Sequence, residues 1–107
     1  MAENGITQLN EDNFTTQIQS GITLVDFFAD WCGPCQMLSP VLEEVAGEMV
    51  GQAHFGKVDI DTSNKIAGDF HVTSVPTLIL FKDGKEVNRL VGVRDAKAIK
   101  EFVLTAL

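Results

Sequence analysis

The apolar positions of the chain fall into strand-like and helix-like runs. From Leu24 to Ala29 they are almost continuous, without the alternation of a half-exposed strand. Thr23 to Ala29 therefore reads as a central strand covered on both faces, with Asp26 the one intruder in it. Beyond Cys35 the spacing lengthens. Leu38, Val41, Leu42, Val45 and Met49 recur at helical intervals and predict a helix to about Met49, with Glu43, Glu44 and Glu48 in solvent. Pro40 lies inside it and predicts a kink.

The flanking segments are shorter. Met1 to Gly5 predicts a loose terminus and Ile6 to Leu9 a short edge strand. Asn10 is placed to cap a helix with Glu11 and Asp12 in its first turn, Phe14 and Ile18 on its apolar face, and Gly21 ending it. Ala53 to Ile60 predicts another strand, carrying Lys57. Asp61 or Ser63 can cap a short helix bearing Ile66, Ala67 and Phe70. Thr77 to Phe81, the turn Asp83-Gly84 and Glu86 to Val91 predict a hairpin. Asp95 caps a last helix whose Ile99, Phe102, Val103 and Ala106 share one face. The class is α/β. With no repeat, low-complexity tract or linker, residues 1–107 predict a single domain.

Charge and composition narrow the function classes. A formal net charge of -7 argues against a nucleic-acid partner or an anionic membrane surface. Met1 to Asn13 is polar and acidic, with neither the basic nor the apolar region of a secretory signal, and Asp26 interrupts the longest apolar run. The expected compartment is a reducing cytoplasm. The chain has 2 cysteines, too few for a disulfide scaffold, and a Cys-X-X-Cys pair in such a compartment is redox-active or metal-binding more often than structural.

That pair, Cys32-Gly33-Pro34-Cys35, stands where the central strand hands over to the first turn of a helix. The free N–H groups of a helix start favour negative charge, and hence a cysteine thiolate. The i, i+3 spacing brings both sulfurs to one side of a turn, close enough to bond. A loop this small closes at little entropic cost, so the bond adds little to stability and suits opening and closing. Zinc would need four ligands, and only the scattered His54 and His71 could complete a site, so no metal is expected. Asp26 has two readings: a carboxylate satisfied by a hydrogen bond, or a buried acid that keeps its proton and exchanges it with the dithiol. Lys57 reads as an edge or snorkelling lysine.

Val25-Asp26-Phe27, Trp31-Cys32-Gly33-Pro34-Cys35, Pro40, Lys57-Val58-Asp59, Val75-Pro76-Thr77, Asp83-Gly84 and Gly92 occur in the order and spacing of the thioredoxin family. The sequence resembles that family over essentially its whole length. The resemblance implies a thioredoxin fold, a central mixed five-stranded sheet in the order first, third, second, fourth, fifth, flanked by four helices. It implies a general protein-disulfide reductase. Cys32 would be the exposed attacking thiolate and Cys35 the buried resolving thiol, with Asp26 and Lys57 managing the proton on Cys35. Pro76 would be a cis-proline facing the disulfide. Trp31, Gly33, Pro34, Val75, Gly92 and Val93 would form a flat apolar docking surface.

The same resemblance implies a monomer with no bound cofactor, re-reduced by a flavoprotein thioredoxin reductase using NADPH. Its clients would be disulfide-containing proteins such as ribonucleotide reductase, peroxiredoxins and methionine sulfoxide reductases. Related oxidants and isomerases share the fold but usually carry a secretory signal. A second reading is a non-enzymatic subunit or binding module that uses the same apolar surface. Two positions depart from the pattern: Phe28 stands where many relatives have Trp, and Gln36 where many have Lys or Arg.

Overall fold

Ile22–Phe28 (β3) forms the middle of the sheet in the computed structural model of the chain, which describes residues 2–107. It pairs in parallel with His54–Asp59 (β4) and antiparallel with Thr77–Lys82 (β5). Sheet and helices leave only Phe28 of β3 partly exposed, as the unbroken apolar run requires. Ile6–Leu9 (β2) lies parallel to β4 on one side, and Lys85–Val91 (β6) antiparallel to β5 on the other. These five strands stand in the order first, third, second, fourth, fifth.

A sixth, two-residue strand, Ala2–Glu3 (β1), pairs antiparallel with β2 at the edge. Ile6 to Leu9 is therefore not the edge strand, and positions 2–5 are not loose; Met1 lies outside the described residues. Asn4 at φ 55 and Gly5 at φ 81 make the two left-handed turn residues that a tight hairpin needs. Asp83 at φ 50 and Gly84 at φ 86 do the same between β5 and β6, as predicted. The Asp83 N–H donates to Gly21 O at 2.9 Å, and the Gly21 N–H to Asp83 Oδ1 at 2.8 Å. The hairpin tip is thus clasped to the start of β3.

The alternation of β3 divides the core. Leu24 faces Gly33–Glu48 (α2) and Ala96–Leu104 (α4), packed with Leu38, Leu42, Val45, Leu78, Ile99 and Phe102. Val25 and Phe27 face the other layer, where Phe14–Ile18 (α1) and Asn64–Asp69 (α3) bring Phe14, Ile18 and Ile66 against Val58, Ile79 and Phe81. Phe70 sits 5.5 Å from Phe14 and 5.3 Å from Phe81, centroid to centroid.

Helix starts differ in detail from the prediction. Asn10 caps a turn and not α1 itself: its Oδ1 accepts from the Asp12 and Asn13 N–H groups, and the helix begins at Phe14. Ser63 precedes α3 without a side-chain cap. Asp95 caps α4 as predicted, its Oδ1 accepting from the Ala98 N–H at 2.9 Å. The α2 helix runs unbroken through Pro40. No helix among the described residues is long and apolar enough to cross a membrane.

Candidate active site

Four strand ends meet at one edge of the sheet. β3 and β4 run toward it, β5 leaves it and β6 returns to it, so Phe28, Asp59, Thr77 and Val91 lie together at that end. Cys32 is the N-cap of α2 there, with extended backbone at φ -89 and ψ 109. Pro34 occupies the first turn, where a missing N–H costs nothing. The first free amide after it, that of Cys35, donates to Cys32 Sγ at 3.2 Å. A sulfur thus fills the place that Ser or Asp oxygens take at ordinary helix starts, and it receives the partial positive charge of the helix terminus.

Cys32 and Cys35 are joined as a disulfide, their Cα atoms 5.3 Å apart. Cys32 is 4% exposed and Cys35 3%, so in this oxidised state the expected exposed Cys32 is also buried. The reason is its seat: Sγ is turned inward, 3.8 Å from Val75 O and against the Cys35 amide. The two cysteines differ in their surroundings. Trp31, Gly33 and Pro34 beside Cys32 are exposed, Trp31 by 70%. Cys35 instead lines a cleft of about 180 Å³ with Phe28, Asp30, Gln36, Ser39 and Lys57.

The peptide bond Val75–Pro76 is cis, as the resemblance implied, and Pro76 is buried. The Gly92 N–H donates to Pro76 O at 2.9 Å and so ties the loop after β6 to the loop before β5. Gly92 itself, at φ 98, has the left-handed backbone that glycine tolerates best. Val75 and Gly92 are half-buried and Val93 exposed, which brings all six docking residues of the sequence reading to the same end as the disulfide.

Asp26 lies beneath, on the α2 face of β3, in register with Lys57 of β4. It is 4% exposed and its Oδ1 has no hydrogen-bond partner. Burial raises its pKa from 3.8 to about 7, against a smaller lowering by the Lys57 ammonium. No donor of the protein reaches that oxygen, so the reading of a carboxylate satisfied by the protein's own hydrogen bonds does not hold there. A cleft of about 30 Å³ opens beside it, lined by Ser39, Glu43 and Lys57, large enough for a water or two. Ser39 and Lys57 line this cleft and the one at Cys35 alike. The Lys57 ammonium stands 5.6 Å from the centre of the Phe28 ring, so it is a half-buried lysine of the site and not an edge residue.

Two further side chains belong to the site. The Trp31 indole donates to Asp61 Oδ2 at 2.9 Å, so Asp61 holds the exposed ring and does not cap α3. Thirty positions separate them, and nothing in the local sequence marks the pair. Gln36 Nε2 donates to Asp30 O at 3.0 Å, tying the first turn of α2 to the loop before the cysteines.

Comparison with known proteins agrees with this geometry. The family model described as Thioredoxin matches residues 5–105. The chain belongs to the thioredoxin family. It is 47% identical to the thioredoxin of Staphylococcus saprophyticus over 98 residues, covering 92% of this chain and 94% of that protein. With the thioredoxin of Chlamydia muridarum the identity is 53% over 95 residues, covering 89% and 92%. The solved structure of a mutant thioredoxin from Halobacterium salinarum superimposes with a TM-score of 0.88 at 34% identity, covering 99% of this chain and 94% of that one. The chain is a thiol–disulfide oxidoreductase, a protein-disulfide reductase of the thioredoxin type, and family membership gives it a reductase and disulfide-containing clients as its general partners. Thioredoxins carry no bound cofactor. Among the described residues no group of three or more His, Cys, Asp or Glu is placed to hold a metal ion.

Proposed function

We propose that Cys32 is the attacking and Cys35 the resolving cysteine of a general cytoplasmic disulfide reductase. The single observation that carries this assignment is the difference in surroundings: Cys32 is flanked in the chain by the exposed Trp31, Gly33 and Pro34, whereas Cys35 lines the cleft that holds Lys57 and Ser39, which also flank Asp26. The Cys32 thiolate attacks one sulfur of a client disulfide, breaks that bond and leaves a mixed disulfide and one client thiolate. Cys35 passes its proton, through water held by Ser39 and Lys57, to the Asp26 carboxylate. Its thiolate then attacks Cys32 Sγ, the Cys32–Cys35 bond forms, and the second client thiolate leaves. Two electrons have moved to the client. In this reading Pro76 and Val75 pair with the client backbone, and Trp31, Gly33, Pro34, Gly92 and Val93 take its apolar surface.

The protein acts as a monomer in cell redox homeostasis and electron transport. A flavoprotein reductase using NADPH restores the dithiol, and ribonucleotide reductase, peroxiredoxins and methionine sulfoxide reductases are the client classes proposed. The test is trapping. Cys35→Ser keeps the attacker and loses the resolver, so stable mixed disulfides with clients should accumulate on non-reducing gels. Cys32→Ser should trap few. Equal trapping by the two variants would show the assignment of roles to be wrong.

A further inference from the structure

The order of strands sets the order of charges across the redox end of the molecule. Asp61 follows β4, the cysteines follow β3, Pro76 precedes β5, and Arg94 follows β6. The disulfide therefore has a carboxylate on one flank and a guanidinium on the other. From β4 to β6 is three strand spacings, about 14 Å. Asp61 is engaged by the Trp31 indole. Arg94 is engaged differently. Its Nη1 donates to Val91 O and Val93 O, each at 3.1 Å, and so straddles the Gly92 loop. A Cβ at Gly92 would come within 3.3 Å of that nitrogen, so the absent side chain at Gly92 is part of the seat.

This seat uses one nitrogen of the fork. Among the described residues Nε and Nη2 of Arg94 make no hydrogen bond, and they form the edge that grips a carboxylate with two parallel bonds. The neighbouring Asp95 carboxylate is occupied as the cap of α4. Arg89, Lys65 and Lys100 are spent in ion pairs with Glu86, Asp69 and Glu48. The net charge of -7 disfavours acidic partners at long range, but screening limits such effects to about 8 Å at physiological salt. At contact the local guanidinium decides.

We infer that Arg94 is a specificity-determining residue: it favours client segments that carry a carboxylate beside the target cystine, on the side that lies over the Gly92 loop. The inference rests on the docking surface proposed above. It concerns selection among clients, with the exchange chemistry unchanged.

The test uses the reduced full-length protein and two series of cystine peptides. One series carries Glu, the other Gln, at matched positions flanking the disulfide, and second-order reduction rates are read by acid quench and chromatography. The parent should reduce the best-placed Glu peptide about 1.4–5 times faster than its Gln counterpart, the range for an exposed ion pair. High salt should erase the ratio. Arg94→Gln should abolish it, and Arg94→Lys should retain part of it. A parent ratio of one at every position overturns the inference. So does an Arg94→Gln variant that slows both peptides equally, because that result marks the guanidinium as a support for the loop alone. Val93→Ser separates the two readings. It should slow Glu and Gln peptides together if the docking surface is correctly placed. Rates unchanged by Val93→Ser remove the docking surface and this inference with it; slowing by Val93→Ser beside a ratio indifferent to Arg94→Gln removes this inference only.

Discussion

Asp26 shows how far one residue can be read. Its place in an apolar strand was visible in the sequence, and that burial follows from the strand's two covered faces. Which of its two readings holds was not, because the polar side chains that line its cleft, Ser39, Glu43 and Lys57, come from α2 and β4. The orphaned Oδ1 and the pKa raised to about 7 favour the reading of a buried acid that holds its proton below neutrality and can give or take it near pH 7. An acid whose folded pKa lies above its unfolded one supports the fold fully below the unfolded value, and that support disappears as pH rises through about 7. The gap between 3.8 and 7, at about 1.4 kcal/mol per pH unit, amounts to roughly 4 kcal/mol when the acid is fully ionised. Asp26→Asn keeps the shape without the titration. It should be more stable than the parent at pH 8, with the gap closing toward pH 4, and should exchange disulfides more slowly near neutrality. Denaturant melts at both pH values check this; a variant less stable at pH 8 would remove the physical basis for proton storage. The role of Asp61, which the sequence offered only as a helix cap, and that of Arg94 were hidden for the opposite reason. Each acts through a partner or a loop shape that exists only once the strand ends are assembled.

At the scale of elements, patterns with their own local cause were legible and those set by neighbours were not. Asp95 and the Asp83-Gly84 turn carry their geometry in two or three residues. So does Asn4-Gly5, an equally good hairpin signal that is hard to see because so little apolar pattern surrounds it. Gly56 is the contrary case. Nothing marks it locally, yet a Cβ there would lie 2.6 Å from Leu9 Cδ1 and 3.3 Å from the Thr7 carbonyl oxygen. Glycine at this point lets β2 lie against β4 with the buried Leu9 between the strand and its neighbours. Gly56→Ala should therefore lower stability by roughly 1–3 kcal/mol, the usual cost of overpacking. Urea melts measure it, and a drop in hydrogen-exchange protection at Ile6 to Leu9 should accompany it. An alanine variant as stable as the parent would mean that Leu9 repacks freely.

For the whole molecule, the strand order came from family resemblance, since hydrophobic spacing alone does not say which strands are neighbours. What the assembled sheet adds is a partition. Asp26, Lys57, Ser39 and the α2 terminus lie on one face, and the rings of Phe14, Phe27, Phe70 and Phe81 on the other. Phe14→Leu removes an aromatic pair with Phe81 at 5.7 Å and another with Phe70 at 5.5 Å. It should lower stability by roughly 1–2 kcal/mol. The pH dependence of disulfide exchange should be unchanged, because the sheet stands between those rings and the acid. A shifted pH profile in that variant would show the faces to be coupled.

That partition bears on how such a protein can change over generations. With the two faces uncoupled, as the Phe14→Leu prediction expects, a substitution in the aromatic layer alters stability and leaves the proton chemistry untouched, so a compensating change nearby can restore what was lost. A substitution on the α2 face alters stability and proton chemistry together, so it needs two corrections at once. Lineages adapting to heat or cold have their freer hand on the aromatic side, where adjustment leaves the working end of the molecule as it was inherited.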